Sequence, residues 1–326
     1  MKICVYGAGA IGGHIGALLA RGAAEVSLVA RGPHLDAINR DGLRLRVGGE
    51  EIAARVAASD DPGTLGVQDY VIVTLKAHQL AGAAPAMQAL LGPDTAVVTA
   101  MNGIPYWYFH GLAGPHAGTR IEAVDPGGTI WAAIAPERVI GCVVYTAAAV
   151  AEPGLVVHES GDRYSLGEPD GTKSERALKL AKAMGAAGMK APVKTNIRDE
   201  IWLKLWGNLS FNMIAVLTHG PLDQMAGEPG TRAIARAMMV EAQAIGEALG
   251  VKFPFDVERR MDVAKAVGPH KPSTLQDLER GRPMEIDALL TAVQEMGALT
   301  GTPTPTIDLI LTLVQQRARN AGLYPA

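Results

Sequence analysis

A chain of 326 residues with 48% hydrophobic and 19% charged residues is long enough for two domains and too apolar to be disordered. Its formal charge of −3, with no run of Lys or Arg, excludes the electrostatic footprint of a nucleic-acid or membrane-surface binder and points to a small-molecule partner. Two cysteines, Cys4 and Cys142, are too few for a disulfide framework, no segment reaches about 18 uninterrupted apolar residues, and Met1 leads straight into a strand, so a cytoplasmic protein with reduced thiols is expected.

In chain order, KICVY at 2–6 reads as a strand, residues 10–21 as a helix, EVSLV at 25–29 and YVIVTL at 70–75 as strands, residues 80–91 as a helix and TAVVTA at 95–100 as a strand. Such alternation builds a parallel sheet with helices on both faces. Residues 42–56, GLRLRVGGEEIAARV, read as a hairpin turning at Gly48 and Gly49, an excursion from that sheet. Residues 110–138 are rich in Gly and Pro and carry no clear period. VIGCVVYT, GLVVHES and RYSLG, between 139 and 167, read as antiparallel strands that close the sheet; a helix over 173–187 and a last strand, APVKT at 191–195, follow. Beyond Asn196 the period becomes 3.6, with helices expected over 197–216, 231–249, 256–266, 285–299 and 306–320. The expected architecture is an α/β Rossmann-type N-terminal domain, residues 1–195, binding NADP, and an all-α C-terminal domain, residues 196–326. Asn196 suits the cap of the first of these helices, with Asp199 at its third position.

The stretch KICVYGAGAIGGHIGALLA sets Gly7, Gly9 and Gly12 between a strand and a helix, with Ala10 and Ile11 in the same turn. A tight turn, close approach of backbone to a pyrophosphate, and close helix-to-strand packing each need a residue without a Cβ, and the helix N-terminus then faces the phosphates. The second strand ends in Arg31, and no Asp or Glu lies between Val26 and His34. A guanidinium there pairs with a 2′-phosphate, whereas an acidic residue would hold a free 2′-hydroxyl, so NADPH/NADP+ is the expected cofactor. Lys76 follows the strand at 70–75 and Asn102 and Gly103 follow the one at 95–100, both at carboxyl ends where ligands of open parallel sheets sit. Lys76 could serve a phosphate and Asn102 the nicotinamide ribose or the substrate; ordinary loop roles stand beside these.

The segment NIRDEIWLKLWGNLSFNMIAVL is apolar nearly all round, which marks a buried helix. Lys204, Asn208 and Asn212 recur every four residues and form one polar row on that rod. Burying an unpaired ammonium is expensive, so the row should meet a ligand, a wet cleft or an anion; the alternative is a solvated face on which Glu200 pairs with Lys204. An ammonium beside a nicotinamide can stabilise the charge that develops on a ketone oxygen and supply its proton. In HKPSTLQDLERGRPMEIDALL, Ser273 has capping-box spacing to Gln276 and Glu285 stands at a helix start, so ordinary structural roles are open to both.

Taken together, GAGAIG, Arg31, VTLKAHQ, MNG, the Lys204 row and the pair STLQD with EID resemble the ketopantoate reductase (2-dehydropantoate 2-reductase) family, in the right order over nearly the whole chain. The resemblance implies a Rossmann domain followed by a helical domain like the C-terminal one of 6-phosphogluconate dehydrogenase, the latter serving substrate binding and, where chains pair, a homodimer. It implies an oxidoreductase acting on CH-OH groups that reduces 2-dehydropantoate to (R)-pantoate with NADPH, toward pantothenate and coenzyme A, with no metal. By the same resemblance Lys204 is the catalytic acid; Asn208, Asn212, Ser273 and Glu285 contact the substrate; Asn102 lies at the nicotinamide end; and Arg31 and Lys76 lie at the adenosine phosphate end. The segment 102–137 is longer and more aromatic than the family pattern, and Tyr145 and Thr146 stand where a histidine is expected, so Tyr106, Trp107, Tyr108 and Trp131 could narrow or reshape the pocket. Two alternatives follow: the same chemistry on another branched or aromatic 2-oxo acid, or an NADP-sensing regulator without catalysis.

Overall fold

The structure, a computed structural model, describes residues 1–22 and 24–325. The described residues divide into two compact units, one built from 1–101, 105–120 and 127–197, the other from 102–104, 121–126 and 198–326.

The first unit carries a nine-stranded sheet: β1 Lys2–Tyr6, β2 Glu25–Val29, β3 Leu43–Val47, β4 Glu50–Ala54, β5 Ala57–Ser59, β6 Gln68–Val73, β7 Leu91–Thr99, β8 Val139–Glu152 and β9 Leu155–Gly167. Its helices are α1 Ala10–Arg21, α2 Gly32–Asp41, α3 Ala77–Met87, α4 Thr129–Ala133 and α5 Glu175–Ala186. The order β5-β2-β1-β6-β7-β8 is parallel throughout and reverses between β1 and β6, the Rossmann arrangement. Ile3, Val5, Val71, Ile72, Val97 and Val98 are fully or almost fully buried, as strands covered on both faces require. β9 returns antiparallel to β8 and continues the sheet on that side.

Several expectations are corrected here. The hairpin β3/β4 is no excursion: β3 pairs in parallel with β9 and adds two strands to the sheet, and Leu43 and Leu45 are buried beneath α1. Gly48 and Gly49 do make its turn, with φ of 59° and 86°. The two runs GLVVHES and RYSLG form one strand, because Gly161, at φ 73°, absorbs an irregularity where a Cβ would sit 2.0 Å from the Tyr145 carbonyl oxygen. APVKT is not a strand; only single bridges from Lys190 and Val193 reach β9. α2 and β5 are additions: β5 is three residues, too short to show a period, and α2 opens on Gly32 and Pro33 with only Leu35, Ala37 and Ile38 buried. The aromatic segment supplies core: Tyr106, Trp107, Tyr108 and Phe109 are buried, Tyr106 donates to the Ile134 carbonyl at 2.9 Å, and Trp107 Nε1 donates to Thr99 Oγ1 at 2.9 Å against the bare backbone of Gly141. These rings fill the first unit, and only Trp131 is half-exposed.

The second unit is helical: α6 Ile197–Thr218, which it shares from Arg198 onward, α7 Leu222–Gly227, α8 Pro229–Ala248, α9 Val257–Ala266, α10 Ser273–Glu279, a π turn over Asp287–Thr291, α11 Ala292–Thr300 and α12 Pro305–Asn320. α6 is its axis. Trp202, Trp206, Leu209, Phe211 and Met213 are buried, Trp206 stacks on Phe253 at 4.3 Å, and its indole N–H reaches the Met239 carbonyl on α8 at 3.1 Å. No described helix is long and apolar enough to cross a membrane.

Candidate active site

The glycine loop lies at the carboxyl end of β1, beside the sheet's switch point. Gly7 takes φ 105°, a conformation that L side chains rarely adopt, and its N–H and that of Ala8 both reach the Val29 carbonyl at 3.1 Å. A Cβ on Gly12 would fall 2.1 Å from the Gly7 carbonyl oxygen and 2.5 Å from Thr74 Oγ1, the two atoms joined by a 2.6 Å hydrogen bond. Gly12 therefore lets α1 press onto the turn while Thr74, from the end of β6, clamps it. A Cβ on Gly9 would meet nothing within 4 Å, so the space before it is open. No side chain caps α1 and no acidic residue occupies its first turn, so its N-terminus is suited to an anion. Ala10 and Ile11 sit half-buried in that first turn. Arg31 is exposed at the end of β2, at the N-cap of α2, and Lys76 is half-buried at the N-cap of α3, where Gln79 accepts a hydrogen bond from its N–H at 3.1 Å. The loop, the uncapped helix and the terminal guanidinium fit a dinucleotide.

One turn into α1, His14 is buried; the Tyr164 hydroxyl lies 2.7 Å from its Nδ1 and the His158 ring stacks on it at 5.0 Å. Burial, with a smaller contribution from His158, lowers its pKa to about 4. Burial likewise pushes the Tyr164 phenol far up, so it stays a donor and His14 a neutral acceptor. The Cys4 thiol is pushed up to about 11 by burial in β1, so it is inert at neutral pH.

Within the helical unit, Lys204 Nζ donates to Asn102 Oδ1 at 2.7 Å, and Asn102 Nδ2 donates to Glu285 Oε2 at 3.2 Å. The amide thus joins a cation to a carboxylate that is 5% exposed. Its orientation is fixed by charge, since turning it over would aim NH2 at the ammonium and oxygen at the carboxylate. Further along α6, Asn208 is half-buried and Asn212, 8% exposed, donates to Thr274 Oγ1 at 3.3 Å.

Asn102 reaches this cluster through a local irregularity of the helix after Glu285. At the π turn the Ala292 N–H bonds to the Asp287 carbonyl, which releases the Ala288 carbonyl from the usual helical ladder. That carbonyl accepts the Ile104 N–H at 2.9 Å. Gly103, at φ 84°, passes so close that a Cβ would lie 2.5 Å from the same oxygen. The MNG turn is therefore docked on the π turn, with Asn102 beside Glu285.

The structure brings together Asn102, Lys204 and Glu285, with Asn208 and Asn212 following on the same helix as Lys204. Ser273 is not among them: Pro272 caps α10, Ser273 stands exposed in its first turn, and no side-chain cap bond forms, so the capping box is absent. The buried hydroxyl that meets Asn212 is that of the next residue, Thr274. Sequence reasoning missed Thr274, Thr74 and Asp287. The first adjoins Ser273 and the second lies two residues before Lys76, each in the same motif as the flagged residue.

The family model described as Ketopantoate reductase PanE/ApbA matches residues 3–171, and that described as its C terminal matches residues 196–318. A 2-dehydropantoate 2-reductase from Mesorhizobium japonicum is 58% identical over 325 residues, covering 99% of this chain and 100% of its own. Among solved structures, a protein from Ralstonia solanacearum MolK2 assigned as a ketopantoate reductase superposes with a TM-score of 0.94 at 42% identity over 99% of each chain. A PanE/ApbA family ketopantoate reductase from Ralstonia eutropha JMP134 does so with a TM-score of 0.85 at 30% identity, over 99% of this chain and 100% of its own.

Proposed function

The chain belongs to the ketopantoate reductase PanE/ApbA family, and on that footing we propose that it reduces the keto group of 2-dehydropantoate to give pantoate, with NADPH as reductant. The observation that carries the reading is the Lys204–Asn102–Glu285 chain of hydrogen bonds, which holds an ammonium ready to act as an acid. The comparison with the Mesorhizobium japonicum reductase supports the substrate, and Arg31 at the end of β2, with no acidic residue beside it, supports NADPH over NADH.

When bound, the nicotinamide supplies the hydride that the keto carbon accepts. The chain supplies the rest. Lys204 donates to Asn102, which orients the ammonium, and a proton from the same ammonium passes to the keto oxygen as negative charge develops on it. Glu285 keeps the Asn102 amide from turning over. Asn208 offers an amide to a substrate hydroxyl or carboxylate, and Asn212, steadied by Thr274, extends the polar row. Gly9 leaves room for a pyrophosphate over the α1 N-terminus, and Arg31 and Lys76 hold the phosphates farther out.

The test is steady-state turnover of the purified protein with 2-dehydropantoate and a panel of branched and aromatic 2-oxo acids, with NADPH and NADH in parallel. 2-Dehydropantoate with NADPH should give the highest kcat/KM. Lys204→Ala should lower kcat by about 100-fold or more while leaving NADPH binding within twofold, in line with the loss of a positioned general acid. A Lys204→Ala enzyme with near-normal turnover would remove the proposed mechanism, and a flat response to all 2-oxo acids would favour a cofactor-sensing protein.

A further inference from the structure

The segment after α12 packs against the π turn that follows Glu285: Tyr324 Oη donates to Asp287 Oδ1 at 2.5 Å. The same carboxylate oxygen accepts Thr291 Oγ1 at 2.8 Å, bridging the two ends of the π turn. Tyr324 is held in place from several sides. Gln315 Nε2 on α12 donates to its hydroxyl at 3.1 Å, the Arg319 guanidinium lies 5.4 Å over its ring, and Arg319 Nε binds the Pro325 carbonyl at 3.0 Å. Gly322, at φ 69°, turns the chain back so that the Leu323 N–H meets the Ala318 carbonyl at 2.9 Å. A tail with this many fixed contacts delivers one hydroxyl to one carboxylate.

We propose that Tyr324 is a positioning residue for the reaction, acting through Asp287 to hold the π turn and so to set Asn102 between Lys204 and Glu285. A π turn is rare and occurs mostly as a single-turn bulge within an α-helix, and here Asp287 ties it by side-chain bonds both to its own far end, at Thr291, and to Tyr324 outside the helix. Without the Tyr324 hydroxyl, the Ala292 N–H returns to the Ala288 carbonyl. That carbonyl is then drawn back along the helix axis and away from the Ile104 N–H, and the turn carrying Asn102 loosens. The inference rests on the proposed reductase reading for its kinetic consequence, and not for its structural one.

The experiment compares Tyr324→Phe with the unaltered full chain in two measurements. Kinetically, kcat should fall about tenfold, with KM for the 2-oxo acid changed less and the NADPH Kd within twofold. Structurally, amide hydrogen exchange at Ile104 should speed by about tenfold, while exchange at the Gly7 turn stays as it was. Asp287→Ala should reproduce both effects, which keeps the test decisive should Tyr324→Phe fold poorly. A folded Tyr324→Phe protein with unaltered Ile104 exchange overturns the proposal, whatever its melting temperature, because a tail that only adds stability leaves that amide alone. Faster exchange with unaltered kcat overturns it as well. If the unaltered chain fails to reduce 2-dehydropantoate, the functional reading fails while the exchange comparison still decides whether Tyr324 holds the π turn.

Discussion

Asn102→Ala removes both hydrogen bonds that organise the candidate site, one from Lys204 at 2.7 Å and one to Glu285 at 3.2 Å. Each involves an ionised partner, and such bonds contribute about 1.5–3 kcal/mol apiece. If about 2–3 kcal/mol of the total is felt in the transition state, because the ammonium no longer points at the reacting oxygen, kcat falls by about 30- to 150-fold. The NADPH Kd, followed by fluorescence titration, separates loss of ammonium orientation, which leaves it unchanged, from loss of a contact at the nicotinamide end, which weakens it. Asn102→Asp sharpens the test. It keeps the shape but sets a second carboxyl at hydrogen-bond distance from Glu285, and two carboxylates so close take up a proton between them. With that proton the new residue can still donate to Glu285; without it, the ammonium is paired with a full negative charge and is a poorer acid. The Asp variant should therefore show an added loss of activity as pH rises through the range in which the pair gives up its proton, a step that the unaltered enzyme, with a single carboxyl there, lacks. A kcat within about threefold of normal for Asn102→Ala would refute the role given to this amide.

The glycine loop separates packing from binding. Gly12→Ala would force a Cβ to 2.1 Å from a backbone oxygen and should cost about 1–3 kcal/mol of stability along with cofactor affinity, whereas Gly9→Ala, with nothing within 4 Å, should melt normally in the absence of cofactor and yet bind NADPH at least about tenfold less tightly. Equal melting temperatures for the two variants would contradict this division of roles within the loop. His14 makes stability depend on pH: its native pKa of about 4 lies below the ordinary 6.5, so the unfolded chain binds the extra proton between those values. Stability should be unaffected by this group above about pH 7 and should fall by about 3 kcal/mol as pH drops from 6.5 to 4. Urea unfolding at a series of pH values, compared with His14→Gln, would show this as a difference that levels off below pH 4; a constant difference would disprove it.

Much of the first unit could be read from sequence because its central strands are buried on both faces, and a run such as YVIV between turn residues fits little but a covered strand. The hairpin at 43–54 was legible as a hairpin but not as part of the sheet. Turn chemistry at Gly48 and Gly49 is local, while pairing of β3 with β9 joins residues more than a hundred apart. The aromatic segment misled for a related reason. Tyr106, Trp107 and Tyr108 look like pocket walls in a loop, and only the bare backbone of Gly141, which admits the Trp107 ring, shows that they complete the core.

The candidate site divides along the same line. Lys204, Asn208 and Asn212 share one helix, so a period of four residues was enough to place them on one row. Asn102 and Glu285 stand 183 residues apart and meet through a released helical carbonyl, a feature that apolar periodicity does not encode. An ordinary α-helix after Glu285 would keep the Ala288 carbonyl for itself and give the MNG turn no acceptor. The irregularity is thus what converts two separate motifs into one cluster, and Asp287, which looks from sequence like an ordinary first-turn acid, sustains it by accepting from both Thr291 and Tyr324. Ser273 and Thr274 make the complementary case. Both are hydroxyls in the same short segment, and their roles are decided by where α10 begins: with Pro272 at the cap, Ser273 faces outward and Thr274 is the one that Asn212 reaches. A shift of one residue in a helix start turns the side chain about 100° round the axis, more than enough to exchange a buried hydroxyl for an exposed one.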